Sequence, residues 1–183
     1  MMRIDWTVRP ARPEDSEALG RVHIAAWQAA YRGLMPDDFL DELNPAARAK
    51  RWRAALLEGP GDGRYLAEGF EALTLVIEGD NGQVAGISVV GPPRRAEPSG
   101  VGELWMINLE PAAWGRGLGT QLLGAATDEL RGAGYVEAVL WVLAGNSRAR
   151  RFYEREGWRP DGTELTDDAR GFPITELRYR RKL

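Results

Sequence analysis

The chain contains no cysteine, and that absence removes several chemistries at once. There is no thiol nucleophile, no disulfide framework and no cysteine metal site. Lysine is nearly missing, occurring only at Lys50 and Lys182, and His23 is the sole histidine. No apolar run approaches the ~20 residues that a bilayer-spanning helix requires. The opening "MMRIDWTVRP" lacks a signal peptide's apolar core, so a cytoplasmic location without a membrane partner is expected. A formal net charge of -3 argues against a general nucleic-acid-binding surface. What is present suits a soluble globular protein: 44% hydrophobic and 28% charged residues in a chain of 183, enough to bury a substantial core.

Hydrophobic patterning supplies the elements. "IDWTV" (4–8) alternates and reads as a first strand. "RPEDSEALGRVHIAAWQAAYRG" reads as a helix, with Pro13 early, Gly33 at its end, and Leu19, Val22, Ala26, Trp27, Ala30 and Tyr31 along one stripe. "PDDFLDEL" and "PAARAKRWRAALLEG" are two further helical pieces, each with proline near its start. "LTLVIEGDNGQVAGISVV" is a hairpin turning at Asp80-Asn81-Gly82. After the exposed loop "GPPRRAEPSG" come the strand "VGELWMINL", a glycine-rich turn and the helix "GTQLLGAATDELRGAG". The strand "VEAVLWVL", the short helix "NSRARRFYEREG" and the closing strand "ITELRYRRKL" complete the chain. With no internal repeat and no low-complexity linker, residues 1–183 read as one mixed α/β (α+β) domain.

The glycine-rich turn raises the functional question. In "LEPAAWGRGLGTQLL", Gly115, Gly117 and Gly119 leave backbone N–H groups unshielded where a helix begins, which is an anion site by construction. A Walker A loop needs a lysine after the last glycine, and none follows Gly119. A dinucleotide fingerprint needs glycine at the position of Thr120 or Leu122, so it fails as well. A structural glycine turn and the pyrophosphate loop of an acyl-CoA transferase, patterned [QR]-x-x-G-x-[GA], remain. Trp114-Gly115-Arg116-Gly117-Leu118-Gly119 matches that pattern with Trp114 where glutamine or arginine is usual. Downstream, "LWVLAGNSRARRFYEREGWR" places an asparagine seven residues before a tyrosine within F-Y-E-x-x-G-[FW]. On these two motifs the chain resembles the GNAT superfamily of acyl-CoA N-acyltransferases, with good element order over residues 70–181 and a looser match over 6–58.

The resemblance implies a central mixed sheet of about seven strands flanked by about four helices, splayed between the fourth and fifth strands to admit the cofactor. It implies acetyl-CoA as cosubstrate, held by the turn residues Gly115, Arg116, Gly117, Leu118, Gly119 and Thr120. Backbone groups of Ile107, Asn108 and Leu109 would pair with the pantetheine amides and polarise the acyl oxygen. Asn146 would bond the pantetheine arm, and it also suits a helix N-cap. Tyr153 would protonate the leaving thiolate; otherwise it is an aromatic packed beside Phe152. Arg148 and Arg151 read as solvated helix charges, with a 3′-phosphate contact as the functional alternative.

A base is harder to assign. Several members of the family carry a glutamate where Glu103 stands, and a second base position falls on Trp141, which closes that route. Strand alternation places Glu103, Trp105, Ile107 and Leu109 on one face, with Leu104, Met106 and Asn108 on the other. Among such apolar neighbours Glu103 is expected to have a raised pKa, as a base working near neutrality needs; alternatively it pairs with an arginine or binds a substrate ammonium. His23 reads as a satisfied, partly buried histidine. By the resemblance the first two helices wall the acceptor site, so Trp27, Tyr31, Met35 and Phe39 are candidates for an apolar pocket and Arg32 for an anionic group, against core packing as the plain alternative. The expected reaction is direct acetyl transfer to a primary amine of a small molecule or peptide, without a covalent enzyme intermediate. A catalytically silent acyl-CoA-binding or regulatory module is the alternative. No metal is implied, and a homodimer is compatible with the sequence.

Overall fold

The computed structural model describes residues 4–183; residues 1–3, the head of the segment read above for a leader, lie outside the described residues. Strand β1 (Trp6–Pro10) leads through a tight turn at Pro13–Asp15 into α1 (Ser16–Tyr31). The helix starts at Ser16 rather than at Pro13 because the Asp15 carboxylate accepts the Arg12 amide at 2.7 Å, closing a 3-10 turn first. Next come α2 (Asp37–Asp41) and α3 (Pro45–Glu58), the latter capped by Asn44, whose side chain accepts from the Ala47 amide at 3.0 Å. Strands β2 (Arg64–Ala67), β3 (Phe70–Gly79) and β4 (Val84–Gly91) follow, and the β3–β4 turn is set by Gly82 at φ +78°. Then β5 (Val101–Leu109), α4 (Leu118–Gly132), β6 (Glu137–Leu143), α5 (Ser147–Arg155), β7 (Arg159–Asp167) and β8 (Ile174–Lys182) complete the fold.

All eight strands join one sheet in the order β1-β3-β4-β5-β6-β8-β7, with β2 paired to β3. The architecture is the expected single α/β domain, with eight strands and five α-helices where about seven and about four were anticipated. β2 and β7 account for the difference in strands. β2 is four residues long, and β7, "RPDGTELTD", is an exposed polar edge strand without the apolar alternation that marks a strand in sequence.

One face of the sheet packs α4 and α5 through Leu118, Leu122, Leu123, Leu130 and Tyr153 against Leu75, Ile77 and Leu140. The other packs α1 and α3 through Leu19, Val22, Trp52 and Leu56 against Val76, Ile87 and Val89. β5 and β6 are parallel neighbours only over Val101–Leu104 and Glu137–Leu140. Beyond those pairs β5 follows β4 to Leu109 while β6 follows β8 to Leu143, so the two strands part. The splay lies at the residues expected; because β2 precedes them, these are the fifth and sixth strands of the chain.

β5 itself departs from simple alternation. Met106 pairs with Val89 and Leu104 with Val90, which leaves Trp105 as the extra residue of a β-bulge. Trp105 and Met106 therefore both pack on the α1–α3 face, while Leu104, Ile107 and Leu109 join the α4 face. The expected common face of Glu103, Trp105, Ile107 and Leu109 is thus broken in the middle, and Leu104 is separated from Met106 and Asn108.

Candidate active site

The turn between β5 and α4 is shaped so that no side chain covers its backbone. Gly115 and Gly117 have φ of +74° and +81°, a conformation strained for any residue with a Cβ, and a Cβ on either would meet open space. Gly117 is the N-cap of α4 and offers no side-chain cap. The amides of Gly115, Arg116, Leu118, Gly119 and Thr120 consequently donate to no other backbone group among the described residues. The α4 dipole adds positive potential at the same spot. Arg116 lays its side chain over the Trp6 ring at 5.8 Å, and the Thr120 hydroxyl donates to Glu156 at 2.7 Å, so both serve the turn through their amides. Gly119 differs from its neighbours: a Cβ there would touch the Phe152 ring at 3.4 Å, so it permits close packing of α4 on α5.

Trp114 supplies a contact that its position in the motif did not suggest. Its indole N–H donates to the Leu109 carbonyl at 3.0 Å, and Arg148 stacks on the same ring at 4.0 Å. The end of β5, the glycine turn and the start of α5 are held together through one side chain. Arg148 is thereby occupied in the structure.

The open edge of β5 faces the gap left by the splay. The Glu110 amide donates to the Ala85 carbonyl of β4 at 2.9 Å, and alternation then turns the Asn108 backbone toward β4 and those of Ile107 and Leu109 toward the gap. Ile107 presents both its N–H and its C=O there, whereas the Leu109 carbonyl already accepts from Trp114. Asn108, expected as a third backbone contact, is instead committed to the sheet, and its side-chain amide nitrogen is buried without a partner. An anion-binding helix start beside a strand edge rich in free amide groups fits a ligand with a pyrophosphate followed by an amide-bearing arm.

The N-cap of α5 and one residue of the helix were the other two expected contacts. Asn146 is buried, and its Oδ1 accepts from the Ala149 amide at 3.1 Å, so the N-cap reading holds while its amide N–H groups remain for another partner. Tyr153 is 8% exposed and packs its ring against Phe152, Trp158 and Tyr179 at centroid distances of 5.4, 6.4 and 6.3 Å. Burial, with Tyr31 close by, pushes its phenol well above the ordinary tyrosine range, so the group stays protonated. Tyr179 spends its hydroxyl on Arg150 and Glu154; the Tyr153 hydroxyl has no such bond among the described residues.

Glu103 is 1% exposed and fully engaged. Its Oε2 accepts from the Arg94 amide at 2.8 Å, and its Oε1 accepts from Arg94 Nε at 3.1 Å and Nη2 at 2.7 Å. The apolar surroundings expected for a base are replaced by a guanidinium from the β4–β5 loop, which also lies over Trp105 at 5.1 Å. Of the readings open in the sequence, the arginine pair is the one the geometry contains.

The residues expected at the acceptor site lie on α1, α2 and the segment between them, beside the β7–β8 turn. Trp27, Tyr31, Met35 and Phe39 do come together, in one cluster with Leu143, Phe172 and Ile174. Tyr31 meets Trp27 edge-on at 5.1 Å, and Phe39 meets Phe172 at 5.0 Å. Arg32 does not join them: it is exposed and paired with Asp37 and Asp41 of its own segment at 3.1 and 2.7 Å. His23 also corrects its expectation, being buried between Trp27 and Trp52 with neither ring nitrogen hydrogen-bonded. Glu176 escaped sequence reasoning altogether. It sits opposite Leu143 on β8 and on the face of the buried Ile174, a placement that the alternation Ile174, Glu176, Arg178 would reveal only once the partner of β8 was known.

A splayed sheet with a bare strand edge beside a helix start of free amides fits an acyl-CoA-dependent acyltransferase. Comparison with known proteins specifies the family. The acetyltransferase (GNAT) family profile matches residues 27–158, and the chain belongs to that family. Membership makes it an acetyltransferase of the GNAT type. It is 28% identical to the uncharacterized N-acetyltransferase YuaI of Bacillus subtilis, over 76% of this chain and 73% of that protein. It is 32% identical to a mycothiol acetyltransferase of a Nocardioides strain, over 96% of this chain but 54% of that protein, so it spans about half of that relative's length. In fold it matches the PaiA N-acetyltransferase of Thermoplasma acidophilum in complex with coenzyme A, with a TM-score of 0.74 at 18% identity, covering 98% and 99% of the two chains.

Proposed function

We propose that the protein acetylates the primary amine of a small-molecule acceptor in the cytoplasm by direct attack on acetyl-CoA, with Tyr153 as the acid for the departing thiolate. The pyrophosphate meets the amides from Gly115 to Thr120, and the pantetheine arm runs along Ile107 and Leu109 toward Asn146. The Ile107 N–H faces the gap and polarises the thioester carbonyl. The amine nitrogen attacks that carbon, the C–S bond breaks, and the sulfur takes the Tyr153 proton while the new amide nitrogen releases its own. A small acceptor is supported by the aromatic cluster that encloses the site between α1, α2 and β8, and by kinship with mycothiol acetyltransferases.

The carrying observation is the uncommitted hydroxyl of a buried, protonated Tyr153. Thiol release from acetyl-CoA across a panel of amines tests the reading. Tyr153→Phe is expected to lower turnover by ~10²–10⁴ with acetyl-CoA affinity unchanged. Wild-type turnover in that variant returns Tyr153 to packing, and an unreactive wild-type protein that still binds acetyl-CoA marks a silent acyl-CoA-binding module.

A further inference from the structure

Glu176 is the acidic group on the acceptor face that the mechanism above leaves unused. It is half-buried, directly across from Leu143 where β6 leaves β5, and it shares its face with Ile174 of the aromatic cluster. Among the described residues it makes no ion pair or hydrogen bond, unlike its neighbours on the same face. Arg178 and Arg180 both pair with Glu97 and Asp161, and Arg180 also with Glu137.

The groups facing Glu176 come from four directions. The charges of Arg94 and Arg95 act on it from the β4–β5 loop, that of Arg170 from the β7–β8 turn and that of Asp167 from the end of β7, while Glu176 itself acts on Tyr31 of α1. Arg94 is neutralised by Glu103. Arg95 and Arg170 have no carboxylate partner among the described residues; each rests on an indole instead, Arg95 over Trp141 at 5.2 Å and Arg170 over Trp27 at 5.1 Å. A single unpaired carboxylate flanked by two unpaired, ring-mounted guanidiniums is complementary to a molecule with one positive and one negative end.

Resting on the N-acetyltransferase reading, we propose that Glu176, Arg95 and Arg170 form the acceptor subsite and that the acceptor is a zwitterionic amine, its ammonium on Glu176 and its anionic group on the two arginines. Glu176 takes one proton from the ammonium before attack and passes it to solvent. The nitrogen's second exchangeable proton leaves as the tetrahedral adduct collapses and replaces the one that Tyr153 gives to sulfur. Neutralising Arg94 through Glu103 leaves the pair Arg95 and Arg170 to read the anion. Desolvation and Asp167 raise the Glu176 pKa and the three arginines oppose the rise, which suits a group that must both hold a cation and accept its proton.

The test compares L-methionine and L-phenylalanine with their decarboxylated amines, 3-(methylthio)propylamine and phenethylamine, by thiol release from acetyl-CoA. The amino acids are expected to show at least ~10-fold higher kcat/KM. Arg95→Met with Arg170→Met should raise the amino acid KM until that preference is gone. Glu176→Gln should lower kcat for every amine by ~10²–10⁴ and remove the acidic limb of the pH–rate profile. Equal or faster turnover of the decarboxylated amines, or a Glu176→Gln variant with an intact acidic limb, overturns the subsite while the transferase reading stands. No thiol release with any amine from a protein that binds acetyl-CoA by calorimetry overturns the transferase reading and this proposal with it.

Discussion

At Glu103 both carboxylate oxygens are occupied, one by the Arg94 amide and the other by its guanidinium. Its side chain is 2% exposed and that of Arg94 37%, so the pair is sealed on one side and wet on the other. Trp105 reinforces it by donating its indole N–H to the Pro92 carbonyl at 2.9 Å while lying under Arg94. Together these contacts fix the loop that carries Arg95 over Trp141. Glu103→Gln keeps the shape but turns one acceptor oxygen into an NH₂ that faces a donor of Arg94. Removing one partner of a buried pair costs about 3–5 kcal/mol, and the exposed half of Arg94 places this substitution nearer ~3 kcal/mol. The expected variant has a lower denaturation midpoint and a raised acceptor KM, with an unchanged pH–rate profile, because the loop shifts and the proton acceptor does not. Loss of the acidic limb in Glu103→Gln would instead make Glu103 the base.

Among the elements, the β5–turn–α4 unit was readable almost in full, because glycine spacing at a helix start is a local signal. Its direction of action was less readable. Gly115 and Gly117 need positive φ and point outward, whereas Gly119 points at Phe152, a distinction that depends on where α5 lies. The bulge at Trp105 was invisible because Trp105 and Met106 are both apolar and fit either face. β7 was missed because its polar residues lie on an exposed edge, and the arginine that pairs with Glu103 could not be named because that depends on how the β4–β5 loop folds back. Asn146 and Tyr153 could be singled out in the sequence because both sit in one short motif. The unit yields its own prediction. Gly117→Ala forces a Cβ into the open space over the free amides and strains the N-cap by roughly 1–2 kcal/mol. Calorimetry should show acetyl-CoA affinity falling by at least ~10-fold in a folded protein, while Gly119→Ala, whose Cβ meets the Phe152 ring and the Leu109 side chain, keeps its affinity within a few-fold. The reverse order would move the pyrophosphate away from Gly117.

For the molecule as a whole, the buried face of α1 carries a cost that appears in its stability. His23 is buried between two tryptophans without a hydrogen bond, and burial with Arg48 and Arg170 nearby lowers its pKa to about 3 from an ordinary 6.5. Folded protein therefore keeps the ring neutral where unfolded chain protonates it. Below pH 6.5 the unfolded state binds the extra proton, so stability is complete above that value and falls as pH drops toward 3. Between pH 7 and 5 the loss from His23 alone is ~2 kcal/mol. Carboxylates held low by arginines, such as Asp15 and Glu78 beside Arg9, lose stability in the same direction, but at lower pH, where their unfolded counterparts titrate. Glu176 acts with the opposite sign, since a raised carboxyl pKa makes the folded state the better proton binder just above the ordinary glutamate range. A His23→Phe variant separates these contributions because the ring volume is kept and the titration removed. Urea midpoints at pH 7 and pH 5 should show wild type losing that ~2 kcal/mol while His23→Phe stays nearly flat over the interval. Equal losses in both proteins would mean that His23 is protonated or water-bonded in the folded state, and the buried face of α1 would then have to admit solvent beside Trp27.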